Sequence, residues 1–363
     1  MKFRRVLLVL FVSLVLAYLF KAVMVLRPFA SVSGVGLERC RLVSGDGLVG
    51  AEDLEFDHRS ATLYIAAANR RDTGSWRPDP GAIFRWEVEQ NRSKKPEKMP
   101  IEGMTEALRP HGMSLYTHPS GTRHLFVVHH SRRAEMVLVF RIVSRNGQET
   151  LQLLREVQAP QFVSLNDVAG AGLFAFYATN DHGRRAGFGH ALEDFAFLSR
   201  ASVMYFDGTW VNTQVAGLRY ANGVQLSADQ KWLLVAETLG YRIQVFRRLP
   251  DGKLEFVQRR KLDTTPDNFS QDENGNFLLA AHPSPFAFLL HAGSADERAP
   301  SEVLRFGLTE TGETREIATI LRDPETLLSA SSVAAQHGKY LVVGGVFDKG
   351  ILLCEQDRGK TAP

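Results

Sequence analysis

Short apolar runs recur along the chain about 45 to 65 residues apart, each opened by a polar or small cluster and paired across a turn with a second apolar run. The first pair is Gly50-Ala51-Glu52-Asp53-Leu54 with Ala61-Thr62-Leu63-Tyr64-Ile65, and the second is His111-Gly112-Met113-Ser114-Leu115 with His124-Leu125-Phe126-Val127-Val128. Leu165-Asn166-Asp167-Val168 then pairs with Leu173 to Tyr177, and Ala221-Asn222-Gly223-Val224 with Trp232-Leu233-Leu234-Val235. The last two are Asp267-Asn268-Phe269 with Asn276-Phe277-Leu278-Leu279, and Ser331-Ser332-Val333 with Tyr340-Leu341-Val342-Val343. Turn sequences such as Ser227-Ala228-Asp229-Gln230 and Glu273-Asn274-Gly275 join the runs as they do in hairpins. A repeat of this length made of short strands predicts blades, typically of four strands, around a central channel. Six repeats predict an all-β fold, a six-bladed β-propeller, with a Greek-key sandwich with long loops as the alternative. In such a ring the leading cluster of each repeat starts at the channel, so the clusters converge on the axis.

Two segments break the strand rhythm. Val6 to Leu26 is an apolar run carrying one charge, Lys21, and it follows Lys2, Arg4 and Arg5. Its length suits a hydrophobic helix that spans a bilayer with its basic end in the cytoplasm. A cleaved signal peptide is the competing reading, with small residues nearby at Ala30-Ser31-Val32-Ser33. The expected organisation is therefore a signal-anchor or uncleaved signal segment over 1–27, a linker over 28–39, the propeller over 40–356 and a tail over 357–363. The protein is expected to be membrane-anchored with an extracytoplasmic domain, or secreted. Farther on, His190 to Leu198 predicts a short amphipathic helix with Ala191, Phe195 and Leu198 on one face. Following Thr179-Asn180-Asp181-His182, it would lie over one mouth of the ring as a lid.

Composition adds little to the fold but excludes some functions. With 44% hydrophobic and 23% charged residues the chain can build a large core. The formal charge of +3 becomes slightly negative once the four basic residues of the leader are set aside, so there is no basic footprint for nucleic acid. Cys40, just after the leader, and Cys354, near the end, are the only cysteines. An even pair in an exported chain suggests a disulfide that ties the ring closed, with two unrelated buried thiols as the alternative.

The candidate chemistry lies in the leading clusters. Glu52-Asp53, Asn166-Asp167, Asn222 and Asp267-Asn268 are oxygen-bearing residues delivered from well-separated points to one place. A hard cation such as Ca²⁺ takes six to eight oxygen ligands, so their convergence predicts a calcium centre. Taken singly, each Asn or Asp is more simply a turn or cap residue. No phosphate-cradling glycine loop, cysteine cluster or Gly-x-Ser-x-Gly elbow accompanies them, which argues against a serine hydrolase.

From Cys40 to Cys354 the chain resembles the paraoxonase/arylesterase family of calcium-dependent lactonases. The matching stretches are Glu52-Asp53-Leu54, Pro110-His111-Gly112, Leu165-Asn166-Asp167-Val168, Tyr177 to His182, Ala221-Asn222-Gly223, Asp267-Asn268, His282-Pro283 and Ser301 to Arg305. Their joint order is specific where each alone is weak. The resemblance implies two Ca²⁺ ions in the central channel: a catalytic one on Glu52, Asn166, Asn222, Asp267 and Asn268, and a structural one on Asp53, Asp167 and the main-chain carbonyl of Met113. It also implies His111 as the base that activates water, with His130 fixing its tautomer, and Asp267 as an alternative proton acceptor. His182 and His282 are assigned to the channel wall or to supporting positions. His129, next to His130, is excluded because successive strand residues face opposite ways.

The implied activity is hydrolysis of lactones and aryl esters, by a monomer or weak oligomer associated with a membrane through its leader. The alternatives are a sugar lactonase of the gluconolactonase type and a non-catalytic calcium propeller serving as a binding or chaperone-like membrane protein. Two departures from the family pattern stand out: Ala281 occupies a position where several relatives have cysteine, and 183–189 is rich in glycine and charge. Two glycosylation patterns occur, at Asn91 and Asn268, the second excluded by its expected place in the channel.

Overall fold

The computed structural model describes residues 2–71, 80–90, 94–145, 147–185 and 187–356. Asn91 and the tail over 357–363 lie outside them. Six antiparallel sheets form six blades of a β-propeller, and in each the strands run outward from the axis. The first blade holds Ala51–Asp57, Thr62–Ala67, Ala82–Glu87 and Glu97–Lys98. The second holds Pro110–Thr117, Arg123–His130, Glu135–Arg145 and Gln148–Val157, with Ile101–Glu102 added in parallel on its outer edge. The third runs from Leu165–Gly170 through Phe176–Asn180 and Ala201–Phe206 to Val211–Leu218. The fourth runs from Ala221–Leu226 through Trp232–Glu237 and Arg242–Arg248 to Leu254–Lys261, and the fifth from Thr265–Gln271 through Phe277–His282 and Ser301–Phe306 to Ala318–Asp323.

The sixth blade draws on both ends of the propeller. Ser331–His337, Tyr340–Gly345 and Ile351–Glu355 are completed by Cys40–Val43, which pairs antiparallel with the last of them. Cys40 stands directly opposite Cys354 in that register, and the two are disulfide-bonded across a sequence separation of 314. The bond therefore locks the strand pair that closes the ring.

Strand pleating explains the apolar runs that follow each turn. Along Thr62–Ala67, Leu63 and Ile65 pack toward the sixth blade, whereas Tyr64 and Ala66 pack toward the second. Along Trp232–Glu237, Leu233 and Val235 face the third blade while Trp232, Leu234 and Ala236 face the fifth. A strand buried on both faces needs apolar residues at successive positions, so these strands read as continuous runs. Six apolar clusters result, one between each pair of neighbouring blades. The third blade departs in its boundaries: its second strand is Phe176–Asn180, because Leu173 and Phe174 form the exposed tip of the turn closed by the Ala171 N–H to Ala175 carbonyl bond.

Outside the ring, Lys2–Leu26 is one helix, and its segment Phe3–Leu26 is long and apolar enough to cross a membrane. The linker is pinned to the fifth blade by reciprocal backbone bonds between Val35 and Arg322 at 2.9 Å. The helix expected as a lid over His190 to Leu198 spans Phe188–Ala196, and a third helix spans Pro285–Gly293, capped by Ser284.

Closing a loop of this length is worth about 5 kcal/mol in the chain-entropy limit. Reduction, or Cys354→Ser, should lower the urea midpoint of unfolding substantially while leaving the far-ultraviolet circular dichroism of the folded state intact. An unchanged midpoint would show that the apolar seam closes the ring unaided.

Candidate functional site

Each of the six innermost strands carries a β-bulge at its leading cluster. The ladder skips from Leu165 to Val168, from Ala221 to Val224, from Pro266 to Phe269 and from Pro110 to Met113. In the first and sixth blades it skips single residues, Glu52 and Ser332. A bulge frees residues from the ladder and re-aims their side chains. The residues released are Glu52, His111, Gly112, Asn166, Asp167, Asn222, Gly223, Asp267 and Asn268 along with Ser332, so the sequence clusters and the bulges coincide.

Two glycines let neighbouring bulges approach. A Cβ on Gly223 would sit 2.5 Å from the Asp267 carbonyl oxygen and 2.7 Å from Asn268 Cα. One on Gly112 would sit 2.1 Å from Asp167 Oδ1 and 2.5 Å from its Cα. Any side chain there would force the inner strands apart, and the oxygen clusters with them.

The structure brings the five oxygen donors Glu52, Asn166, Asn222, Asp267 and Asn268 together in the buried hub. One oxygen from each is buried without a hydrogen-bond partner: Glu52 Oε2, Asn166 Oδ1, Asn222 Oδ1, Asp267 Oδ1 and Asn268 Oδ1. Leaving a buried acceptor unsatisfied costs about 1–3 kcal/mol, and a cation is a partner whose chemistry would satisfy such oxygens. The nitrogens of the amides are turned elsewhere: Asn222 Nδ2 donates to Thr238 Oγ1 at 3.2 Å, and Asn268 Nδ2 to the Glu52 carbonyl at 3.3 Å. Asn268 is wholly buried, which removes it as a glycosylation acceptor.

Charge within the hub is uneven. Burial works against ionisation of Glu52, but the Arg70 guanidinium, together with the positive charge of His111 when it is protonated, outweighs it and holds the carboxyl at about 2. Asp267 is raised to about 6 by burial, opposed by the 2.9 Å bond from His282 Nε2 to its Oδ2. Deeper, Asp53 accepts from the Leu54 N–H at 2.8 Å and the Met113 N–H at 2.6 Å. Asp167 accepts from the Val168 and Val224 N–H groups, each at 2.7 Å. Burial nonetheless raises Asp53 to about 8, with Glu52 and Asp267 adding to it, and raises Asp167 well above its ordinary value, with Asp53 and Glu55 adding to it. Glu55 is raised in the same way by burial and by Asp53. Asp53 and Asp167 are buried and Glu55 half-buried, and together they concentrate negative charge below the hub. It is the N–H of Met113 that meets Asp53.

His111 and His130 also come together. Glu135 Oε2 lies 2.7 Å from His130 Nδ1, and His130 Nε2 lies 2.7 Å from His111 Nδ1. An ionised carboxylate only accepts, so His130 carries its proton on Nδ1 and offers Nε2 to the His111 Nδ1–H. His111 Nε2 is left as an acceptor, 3.6 Å from Glu52 Oε1. Burial lowers the His111 pKa. His129 turns away: its Nδ1 accepts from the Arg109 N–H at 3.0 Å.

Above the hub is a cavity of about 440 Å³ whose polar floor includes Glu52, Arg70, His111, Asn166, Asn222, Asp267 and His282. Its walls are mainly apolar, with Leu26, Phe197, Leu239, Phe288 and Phe347 among them, and carry His182, His190, Tyr220 and Thr238 as well. The lid is anchored by His182, whose Nδ1 is 2.7 Å from Asp181 and whose Nε2 is 2.8 Å from Asp194. The helix sits on the ring with its polar side: Glu193 is buried and accepts from the Gly183 N–H, whereas Phe188, Leu192, Phe195 and Leu198 are exposed. The N-terminal helix meets it there, with Tyr18 stacked on Phe195 at 4.9 Å and donating to the Phe195 carbonyl at 2.9 Å. Tyr241 and Ser284 donate to the carbonyls of Val25 and Arg27, so this helix ends at the cavity.

Arg70 and Glu135 were not singled out from sequence. Arg70 donates to the carbonyls of Gly50, Ala68 and Pro110 and stands 3.8 Å from Glu52, an arrangement without a local pattern. Glu135 had a signal: it opens the strand after His130, and hairpin pairing sets the two opposite each other.

A six-bladed propeller with an oxygen-lined hub is a scaffold for several chemistries. Solved structures of like fold include a luciferin-regenerating enzyme (TM-score 0.51, 14% identity, covering 90% of this chain and 96% of that one). A gluconolactonase of Xanthomonas campestris (0.51, 17%, 90% and 98%) and a PQQ-bound aldose sugar dehydrogenase of Streptomyces coelicolor (0.51, 12%, 90% and 99%) share it too. At such identities they show the fold alone. Sequence decides further: residues 31–356 match the Arylesterase family model, and the chain belongs to that family. It is 29% identical over 335 residues to serum paraoxonase/arylesterase 2 of Bos taurus, covering 91% of this chain and 92% of the relative. With serum paraoxonase/arylesterase 1 of Mus musculus it shares 29% identity over 331 residues, covering 90% and 91%.

The lid anchor carries a pH signature. Burial disfavours protonated His182, but Asp181 and Asp194 more than reverse this and raise its pKa to about 10. A raised pKa means a contribution complete below the ordinary value of 6.5 and lost as pH climbs through about 10. Amide hydrogen exchange over Phe188–Ala196, corrected for the intrinsic rate, should accelerate through that window, and His182→Gln should show fast exchange already at neutral pH. Exchange flat across the window in the unaltered protein would mean that the lid is held by other contacts.

Proposed function

We propose that the chain hydrolyses lactones and aryl esters, with Ca²⁺ held by Glu52, Asn166, Asn222, Asp267 and Asn268. The observation that carries this reading is the set of five buried oxygens without hydrogen-bond partners beneath the cavity, beside an imidazole that presents a free acceptor nitrogen. When bound, the ion supplies positive charge where a carbonyl oxygen becomes an oxyanion. Five protein oxygens fall short of the usual six to eight, leaving room for substrate or water. A second Ca²⁺, on Asp53, Asp167 and the Met113 carbonyl, is proposed to be structural and to relieve the repulsion between the buried carboxyls.

The residues of the chain do the proton work. His111 Nε2 accepts a proton from water as the oxygen attacks the acyl carbon, while the Nδ1–H stays on His130 and Glu135 holds His130 in the matching tautomer. Collapse of the tetrahedral intermediate breaks the bond to the leaving oxygen, and His111 returns the proton to it. His282 orients Asp267, and Arg70 orients Glu52. Asp267 as the base is the weaker assignment, because one of its oxygens is engaged by His282.

The mainly apolar walls favour hydrophobic acyl or aryl groups over the polyhydroxylated ring of a sugar lactone, several of whose hydroxyls would be buried against apolar surface. The exposed apolar surfaces of the lid helix, of Phe286, Leu289 and Leu290, and of the N-terminal helix gather on the face around the cavity. We read that face as lying on or in a membrane, with the N-terminal helix as anchor.

Asp267→Ala or Asn268→Ala should lower lactone and aryl ester turnover by about 10²-fold or more, and EDTA should do the same until calcium is restored. Full turnover by metal-free protein would refute the reading. His111→Gln should cost about 10²–10⁴-fold in kcat with calcium still bound by calorimetry. Glu135→Gln should lower kcat with little change in KM, because it disturbs the tautomer and leaves the cavity intact. An undiminished rate for His111→Gln would move the base to another group.

A further inference from the structure

At the mouth opposite the cavity, the inner strands of three consecutive blades end beside one another. His58 follows Ala51–Asp57 of the first blade, Glu273 lies in the turn after Thr265–Gln271 of the fifth, and His337 ends Ser331–His337 of the sixth. One ligand-capable atom from each lies within 4.8 Å of the other two. His58 Nδ1 and His337 Nδ1 face each other at 3.0 Å, and the rings are stacked with an interplanar angle of 22°.

Hydrogen bonding aims this cluster. His58 Nε2 lies 3.0 Å from the Gln271 carbonyl oxygen, which can only accept, so the proton sits on Nε2 and the Nδ1 lone pair accepts from His337 Nδ1–H, whose proton moves to His337 Nε2 when an ion takes its place. An imidazole whose far nitrogen donates to a backbone carbonyl is oriented as metal-bound histidines are. Glu273 is tied to the same place, because its Oε1 accepts from the N–H of Gly338, the neighbour of His337, at 2.9 Å. Two nitrogens bound at about 2.0–2.1 Å to a tetrahedral ion stand roughly 3.3 Å apart, so the pair needs to open by only a few tenths of an ångström. His58 and His337 are half-buried and Glu273 is exposed, which gives an ion access from solvent.

The geometry points to a second kind of metal site, in which His58, Glu273 and His337 bind a borderline divalent transition cation of the zinc type with one position open. Imidazole donors select such ions, whereas the oxygen-only hub suits calcium, so the two ends of the channel sort metals by ligand chemistry. The site bridges the fifth, sixth and first blades and therefore spans the seam where the ring closes. Binding to the folded ring alone raises its stability by mass action.

The test is calorimetric titration of Zn²⁺ into the full chain under saturating calcium, with thermal unfolding followed in parallel. The unaltered protein should bind one more zinc per chain than the double variant His58→Gln/His337→Gln, and zinc should raise its Tm but not that of the variant. Glu273→Gln, an exposed change that spares the ring, should weaken the same zinc at least tenfold, and calcium in excess should not displace it. Aryl ester turnover under calcium should be equal in all three. Equal zinc stoichiometry and equal Tm shifts in the unaltered protein and the double variant would overturn the site and assign the binding elsewhere, for example to the Asp181, His182 and His190 cluster at the lid. Loss of hydrolysis on calcium removal tests the other end of the channel and is independent of this outcome.

Discussion

Oxygen atoms buried without hydrogen-bond partners are unstable neighbours, and this protein carries five of them on the inner strands of its blades. Each costs about 1–3 kcal/mol that packing elsewhere must offset. The arrangement persists because the backbone leaves little alternative. Bulges push the residues out of the ladder, glycines let adjacent bulges touch, and the closed ring prevents the inner strands from separating. The stiffness belongs to the whole propeller, since every middle strand is clamped between two apolar layers and every layer is shared by two blades.

The ring closure and the hub are therefore one problem. If the sixth blade opened, the first and fifth would move apart, and Glu52 would leave Asp267 and Asn268. The disulfide at Cys40 and Cys354 guards that seam from the outer edge of the blade. On the inner side, Ser332 donates to the Ala51 carbonyl and Ser270 to the Ala334 carbonyl, stitching the inner strands of adjacent blades. The His58, Glu273 and His337 group lies on the same seam at the far mouth. The near mouth is built differently, with polar anchors beneath a helix whose apolar side faces outward.

Much of the fold was legible before any coordinates. The six hairpins and the channel-facing clusters follow from strand periodicity and turn chemistry, which are local, and the closing cysteine pair from there being two cysteines in an exported chain. The clusters Glu52-Asp53, Asn166-Asp167, Asn222 and Asp267-Asn268 are legible too, and the structure sets them at the bulges of the inner strands. Less legible were features set by contacts between distant segments. Leu173 and Phe174 look like strand residues but cap a turn. The lid helix has the expected periodicity, yet it docks through Glu193 and Asp194 and shows its phenyl rings to the outside. Arg70 is an ordinary arginine until three carbonyls from different strands converge on it.

The amino-acid order by itself determined which residues are strands and which clusters bear oxygen, because pleat, turn and side-chain chemistry act within a few residues. Tertiary structure decided which oxygens lose their partners, which nitrogen of His111 faces the cavity and which histidines meet at the far mouth. Those outcomes depend on register shifts in six inner strands and on ring closure, and a bulge has no signature until the partner strand fixes what it skips.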